Sequence, residues 1–132
     1  MTIEPIDPTG LAPIPGAAHI TVATGTRLVH ISGQTGIGPD GAIVGPTHAD
    51  QAVQALRNLR LAIEASGGGP TDIARLGLYV VDHSDDAFEA IVGAAIEVFG
   101  EDFPITASTL VGVAALWQPG LLVEVDAVLV IA

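Results

Sequence analysis

The segment that most constrains this chain is its last strand-like stretch, Leu121-Leu122-Val123-Glu124-Val125-Asp126-Ala127-Val128-Leu129. Successive side chains of a strand point to opposite faces, so Leu121, Val123, Val125, Ala127 and Leu129 share one face while Leu122, Glu124, Asp126 and Val128 share the other. The first face is wholly aliphatic and calls for burial under helices. The second sets two carboxylates among aliphatic groups, which suits neither a dry core nor a fully solvated surface. Such a strand belongs in a sheet covered by helices on one side and by another body on the other. Copies of the same chain supply that second cover, so an oligomer is expected.

Upstream, turn signals and periodicity divide the 132 residues into the elements of one domain, 1–132, without internal repeats. The opening, through Pro15 and Gly16, is rich in proline and glycine and is expected to run as an irregular arm over 1–15. His19 to Thr24 and Leu28 to Ser32 are β-branched and aliphatic, and Gly25-Thr26 between them suits a tight connection, so they read as a hairpin. Gly38-Pro39-Asp40-Gly41 is a turn signal, and a short strand, Ala42 to Val44, extends the hairpin into a meander. Thr47 with Asp50 resembles a helix cap, and Ala52, Leu56, Leu59 and Ile63 recur on one helical face until Gly67-Gly68-Gly69-Pro70.

Ile73 to Val81 reads as a strand, and Ser84, Asp85 and Asp86 open a second helix. Its expected apolar stripe is Phe88, Ile91, Val92, Ala95 and Phe99, with Gly100 ending it in a left-handed conformation. Strands at Ala107 to Val113 and Leu121 to Ile131 complete a ββαβαββ order, with the short third strand merged into the first hairpin. The class is α+β, one mixed sheet with two helices on one face.

Composition narrows the function. Fifteen acidic residues face four arginines and no lysine, a formal net charge of -11. Nucleic-acid affinity depends on cations that neutralise phosphates, so no nucleic-acid partner is expected. No apolar run reaches the ~18 residues of a membrane span, and the opening MTIEPIDPTG lacks a basic, then apolar, leader. No membrane partner and a cytoplasmic location are therefore expected. Cysteine is absent, which removes disulfides and thiolate chemistry, and His19, His30, His48 and His83 share no metal-binding spacing. Neither a metal nor another cofactor is expected.

Several motifs now fall into order. Ile31-Ser32-Gly33-Gln34-Thr35-Gly36 ends the second strand ahead of the Asp40-Gly41 turn; Gln51 and Asn58 lie on the first helix; Tyr79-Val80-Val81-Asp82 ends a strand; and Pro119 to Ala127 opens the last one. Together they resemble the RidA (YjgF) family over nearly the whole chain from about Gly16. The resemblance implies a chorismate-mutase-like mixed sheet with two helices on one face, and a homotrimer whose sheets form a barrel-like core. It also implies clefts between subunits that bind a small organic metabolite. Enzymes of the family hydrolyse reactive enamines and imines to keto acids and ammonia, with an arginine gripping the substrate carboxylate and a glutamate positioning water.

Carried over by position, Gly33 matches the signature glycine and Glu124 the glutamate, with Ser32 beside the former. In Thr106-Ala107-Ser108-Thr109-Leu110-Val111-Gly112-Val113, which resembles the family's "PARTxVxV" pattern, Ser108 stands at the arginine and Thr106 at the proline. Val92 stands where many deaminases have asparagine. The other arginines, Arg27, Arg57, Arg60 and Arg75, lie in different segments and do not replace the clamp by a local shift.

The candidate site is thus Glu124 as the catalytic carboxyl, with Gly33, Ser32, Ser108, Thr109 and His19 binding substrate. Partial burial among aliphatic neighbours would raise the pKa of Glu124 and suit it to proton transfer, whereas alone it reads as a solvated carboxylate. Asp126 reads as structural or as its partner. Ser108 lines the site or is structural, His19 faces the cleft or is an ordinary strand histidine, and Trp117 packs its loop or lines the cleft mouth. Ser32 and Ser108 have no histidine and acid placed by motif to activate them, so a serine-hydrolase reading is set aside. A non-catalytic ligand-binding or protein-interaction trimer is the alternative, and RNA cleavage a distant third.

Overall fold

Every second residue of the last strand is dry, and the architecture is arranged around that strand. The computed structural model describes residues 2–132. Its elements are β1 (Thr2–Ile6), β2 (Ile20–Thr24), β3 (Arg27–Thr35), α1 (His48–Ala65), β4 (Ile73–Val81), α2 (Asp85–Phe99), β5 (Ala107–Val113) and β6 (Val123–Ile131). β6 lies between β3 and β4, antiparallel to both, and β5 runs parallel to β4 at the edge, giving the order β3-β6-β4-β5. Along β6, Val123, Val125, Ala127, Leu129 and Ile131 are buried, and Glu124, Asp126 and Val128 are half-buried. The expected alternation and the α+β class are both present.

The helices cover the dry face. Thr47 caps α1 by accepting the Asp50 N–H, and Ala52, Ala55, Leu56, Leu59 and Ile63 enter the core. Ser84 caps α2 in the same way through the Ala87 N–H. Its buried face is Ala87, Ile91, Ala94, Ala95 and Phe99. Two members of the expected stripe are on the outside, Phe88 at 48% and Val92 at 42% exposure. The helix is rotated so that Ala87, Ala94 and Ala95 flank Ile91 and Phe99 on the face toward α1, which lets the two helices approach closely, and Phe88 and Val92 turn away.

Three expectations from the sequence are corrected. Residues 2–6 of the supposed irregular arm form β1, which pairs antiparallel with β2 in a separate two-stranded sheet. Pro5, which has no N–H to offer a ladder, is accommodated there because an outer strand needs partners on one side only. β2 and β3 do not form a hairpin: β2 pairs with β1, and β3 with β6. The third strand of the meander is also absent. Ile37 and Ile43 form one isolated bridge around the Gly38–Gly41 turn, where Gly41 has the positive φ of 84° that glycine tolerates.

One buried side chain ties the irregular segments to the helical layer. Gln51 is 0% exposed; its Nε2 donates to the carbonyls of Gly45 and Gly120 at 2.9 and 2.8 Å, and its Oε1 accepts the Leu122 N–H at 2.7 Å. A Cβ at Gly36 would lie 2.6 Å from that of Gln51, so the β3 exit needs glycine to pass the helix. Two turns further on, Asn58 Nδ2 donates to Thr35 O and Ile37 O, and Asn58 Oδ1 accepts from Gln54 Nε2. Removing the Gln51 amide leaves three part-buried backbone groups without their side-chain partner. Gln51→Ala is therefore expected to lower stability by roughly 2–4 kcal/mol, read as a shift of the denaturant midpoint, against little change for Gln54→Ala.

Candidate functional site

The β3–β6 register is interrupted between Ile31 and Gln34, where Ser32 and Gly33 form a β-bulge against β6. The bulge sets Gly33 against Glu124. A Cβ on Gly33 would meet Glu124 Oε2 at 2.1 Å and Cδ at 2.5 Å, so only glycine lets the glutamate lie across the strand. Ser32 is exposed, and its carbonyl accepts from Gln34 Nε2. Burial is the main reason that the Glu124 carboxyl is pushed above its ordinary value of 4.5, and the Asp126 charge on the same face adds to it.

Asp126 repeats the arrangement on the other side of β6. Its carboxylate lies over Gly77 of β4, where an added Cβ would be 2.2 Å from Oδ1, and it accepts the Tyr79 hydroxyl at 2.9 Å. That hydrogen bond is the leading cause of a raised Tyr79 pKa. Arg75, further along the same face of β4, donates to Thr109 Oγ1 of β5 at 3.4 Å. The open face of the sheet thus carries Glu124, Asp126, Tyr79, Arg75 and Thr109. Sequence reasoning named Tyr79 only as part of a strand motif and Arg75 only as an arginine outside the clamp segment, and it did not consider Gly77. Their signal was the i, i+2, i+4 spacing along a strand that turns out to neighbour Glu124 and Asp126.

Ser108 lies elsewhere. Ser108 pairs with Leu76, and Leu76 with Ala127, which places it on the helix-covered side, whereas Glu124 aligns with Tyr79 and Val111 on the open side. The two are on opposite faces, two strand spacings or ~10 Å apart across the sheet and three residues or ~10 Å apart along it. No small ligand touches both within one chain. The Ser108 hydroxyl donates to its own Thr106 carbonyl at 3.1 Å. His19 is near the start of the same edge, since the Ala18 N–H donates to Thr106 O, but its ring Nε2 contacts Ala12 O at 2.6 Å and its backbone N–H donates to Asp7. Its ring is engaged in holding the loop before β2. Trp117 is 68% exposed, so it does not pack its loop.

Two clefts on the surface contain none of the expected residues. One, of about 450 Å³, is an open cleft lined by Val44, Asp50, Gln54, Arg57 and Glu97; the other lies around Ile3, Ile73 and Phe103. The chemistry at Glu124 lies on an open face rather than in a closed cavity. Among the described residues no three His, Asp or Glu side chains converge as a metal site, and no helix is long and apolar enough to cross a membrane.

Comparison with known proteins bears on what this arrangement serves. The family model described as "Endoribonuclease L-PSP" matches residues 9–131. The chain is 32% identical over 133 residues to a 2-iminobutanoate/2-iminopropanoate deaminase of Dermatophagoides farinae, covering 99% of each. It is 31% identical over 103 residues to the Homo sapiens protein of the same description, covering 77% of this chain and 72% of that one. A crystal structure of YyfB from Yersinia pestis, a Rid-family protein of unknown function, superposes with a TM-score of 0.89 at 34% identity, covering 99% of this chain and 100% of that one.

Two outcomes test the geometry. Since Ala at position 33 collides with a movable side chain rather than with backbone, Gly33→Ala is expected to fold and to displace the Glu124 carboxyl, so that this carboxyl titrates closer to an ordinary glutamate. A carboxyl whose folded pKa is raised contributes stability below its unfolded value that is lost as pH rises through the raised one. Melting temperature should therefore decline in part between pH 4.5 and the raised value, and Glu124→Gln should remove that part of the decline in a thermal series.

Proposed function

The chain belongs to the family described as Endoribonuclease L-PSP, the YjgF/RidA family, and from that premise we propose that it is a homotrimer with small-molecule clefts between subunits that hydrolyse an uncharged imine or enamine. The observation that carries this reading is the placement of Glu124 against Gly33, with its proton affinity raised by burial. A carboxyl in that state takes a proton from an attacking water at moderate pH and orients that water toward an electrophilic carbon beside the bulge. The exposed backbone at Ser32 and Gly33 lines the approach.

The intersubunit placement draws support from two further facts. Ser108 and Glu124 are too far apart, on opposite faces, for one ligand in one chain, so a shared site takes them from different copies. The open face also carries Leu28 at 64% and Val111 at 40% exposure, apolar groups that a neighbouring sheet would cover. Light scattering should give three times the 13.3 kDa chain mass. A monomer that retains ligand would refute both assembly and site.

Ser108 sets the substrate class. In the deaminases that the chain resembles, an arginine grips the carboxylate by two charge-assisted hydrogen bonds, which a serine hydroxyl donating to its own backbone does not reproduce. Loss of that contact costs roughly 2–5 kcal/mol when the charges are desolvated, on the order of 30- to several-thousand-fold in binding. Ammonia release from freshly generated imines should be weak for those bearing a free carboxylate and stronger for neutral ones. Ser108→Arg should raise it for the former, with Val92 limiting the gain. Parent activity on carboxylated imines equal to that of active family members would overturn the assignment.

The engagement of the Ser108 hydroxyl by Thr106 also favours a second reading, a trimer that binds a ligand without turnover. Binding of neutral imine analogues with no ammonia release from either class would establish it. RNA cleavage is disfavoured by the net charge of -11, and no salt-sensitive gel shift with RNA is expected.

A further inference from the structure

β6 carries two carboxyls on one face, two residues apart, and only Asp126 has a hydroxyl donor. Tyr79 Oη donates to Asp126 Oδ2 at 2.9 Å across the β4–β6 pair, and the missing side chain at Gly77 leaves the space in which the two meet. Glu124 leans the other way, over Gly33, where no side-chain donor reaches it among the described residues. The structure has thus built two nearly equivalent carboxyls into different surroundings. One is fixed by a phenol; the other is partly buried and lacks a donor.

We infer that Asp126, held over Gly77 by the Tyr79 hydroxyl, is a positioning residue that directs the proton of the pair to Glu124. A hydrogen bond offered to a carboxylate stabilises its charged form, and a fixed negative charge beside a second carboxyl favours protonation of that second group. Tyr79, Gly77 and Asp126 therefore act together, and the tyrosine works through Asp126 rather than on substrate. The direction of the Glu124 shift, with burial first and Asp126 second among its causes, agrees with this division.

The other charged or titratable groups on this face are His30 of β3, at the Val128 level, and Arg75 of β4, bonded to Thr109. Both align with Val128, four residues along β6 from Glu124, or about 13 Å, so neither takes the place of Asp126. The inference rests on the reading of Glu124 as the proton-carrying group of the site. It assigns that group's control to Tyr79, Gly77 and Asp126, to which the resemblance gave no site role.

The test follows the Glu124 carboxyl directly, by carbon-detected NMR titration of the full chain labelled at glutamate Cδ, with Glu124→Gln to assign the signal. Asp126→Asn should move the Glu124 midpoint down toward an ordinary glutamate, and Tyr79→Phe should move it the same way by less, because an untethered Asp126 swings away. A Glu124 midpoint unchanged in both variants overturns the inference. Should Asp126→Asn fail to fold, Tyr79→Phe decides alone, since it removes one hydroxyl and leaves the ring.

Activity supplies the second readout. If the chain hydrolyses neutral imines, the limb of its pH profile that reports Glu124 should move to lower pH in Asp126→Asn, with kcat changing more than KM. Absence of turnover with any imine sinks the hydrolase reading and leaves the NMR result to decide the positioning role.

Discussion

The buried amide of Gln51 is the contact on which the placement of the candidate site depends. Glu124 is fixed in space by where β6 begins and Gly33 by where β3 bulges, and neither strand end is set by its own ladder alone. Gln51 binds the Gly45 carbonyl on the segment that follows β3, and the Gly120 carbonyl and Leu122 N–H just before β6. Asn58 adds the carbonyls of Thr35 and Ile37. Two amides on one helical face thus satisfy backbone groups that would otherwise be buried without partners. Amides suit the task because they donate and accept without bringing in a charge.

Much of the fold was legible because its signals are local. The strands Ile73–Val81 and Ala107–Val113, the Thr47 and Ser84 caps and the alternation along β6 all depend on neighbours a few residues away. Pairing does not. Gly25-Thr26 permits a tight hairpin, but it also permits the chain to pass from one sheet to the next, and the choice is made by β6, about a hundred residues downstream, which takes β3 as its partner. Likewise the α2 stripe could be drawn through Phe88 and Val92 or through Ala87 and Ala94. Packing against α1 selected the face that sets Ala87, Ala94 and Ala95 beside Ile91 and Phe99, and a count of apolar groups does not separate that mixed face from its neighbour.

The candidate site divides in the same way. Gly33 and Glu124 were legible as motif positions, but the reason they belong together, a Cβ that would strike the glutamate, exists only once the bulge has formed. Ser108 and Glu124 were grouped in sequence as parts of one site; register places them on opposite faces. His19 was legible as a polar residue near the site, whereas its engagement with Ala12 depends on the course of the preceding loop. Tyr79 was legible only as a motif residue and Gly77 not at all, because a tyrosine and a glycine in a strand acquire a role only from the aspartate opposite.

The scarcity of cations sharpens the choice of substrate. Arg27 donates to the carbonyl of Ala132, Arg60 pairs with Glu64, and Arg57 lines the cleft beside Asp50 and Glu97, away from the residues around Glu124. Arg75 alone shares the open face with Glu124, yet it is about 13 Å along the strand and is bonded toward Thr109, on the side of β4 away from β6. A carboxylate attached to the carbon beside Glu124 would therefore lie nearer along the strand to the carboxyls of Asp126 and of Glu124 itself than to Arg75, whose charge is felt by Tyr79 but whose guanidinium is bonded toward Thr109. Repulsion between like charges in a partly desolvated cleft disfavours the anion more than the loss of an attractive contact does alone. The excess of acidic over basic residues thus acts at the proposed site as well. An uncharged electrophile is the ligand that this face opposes least.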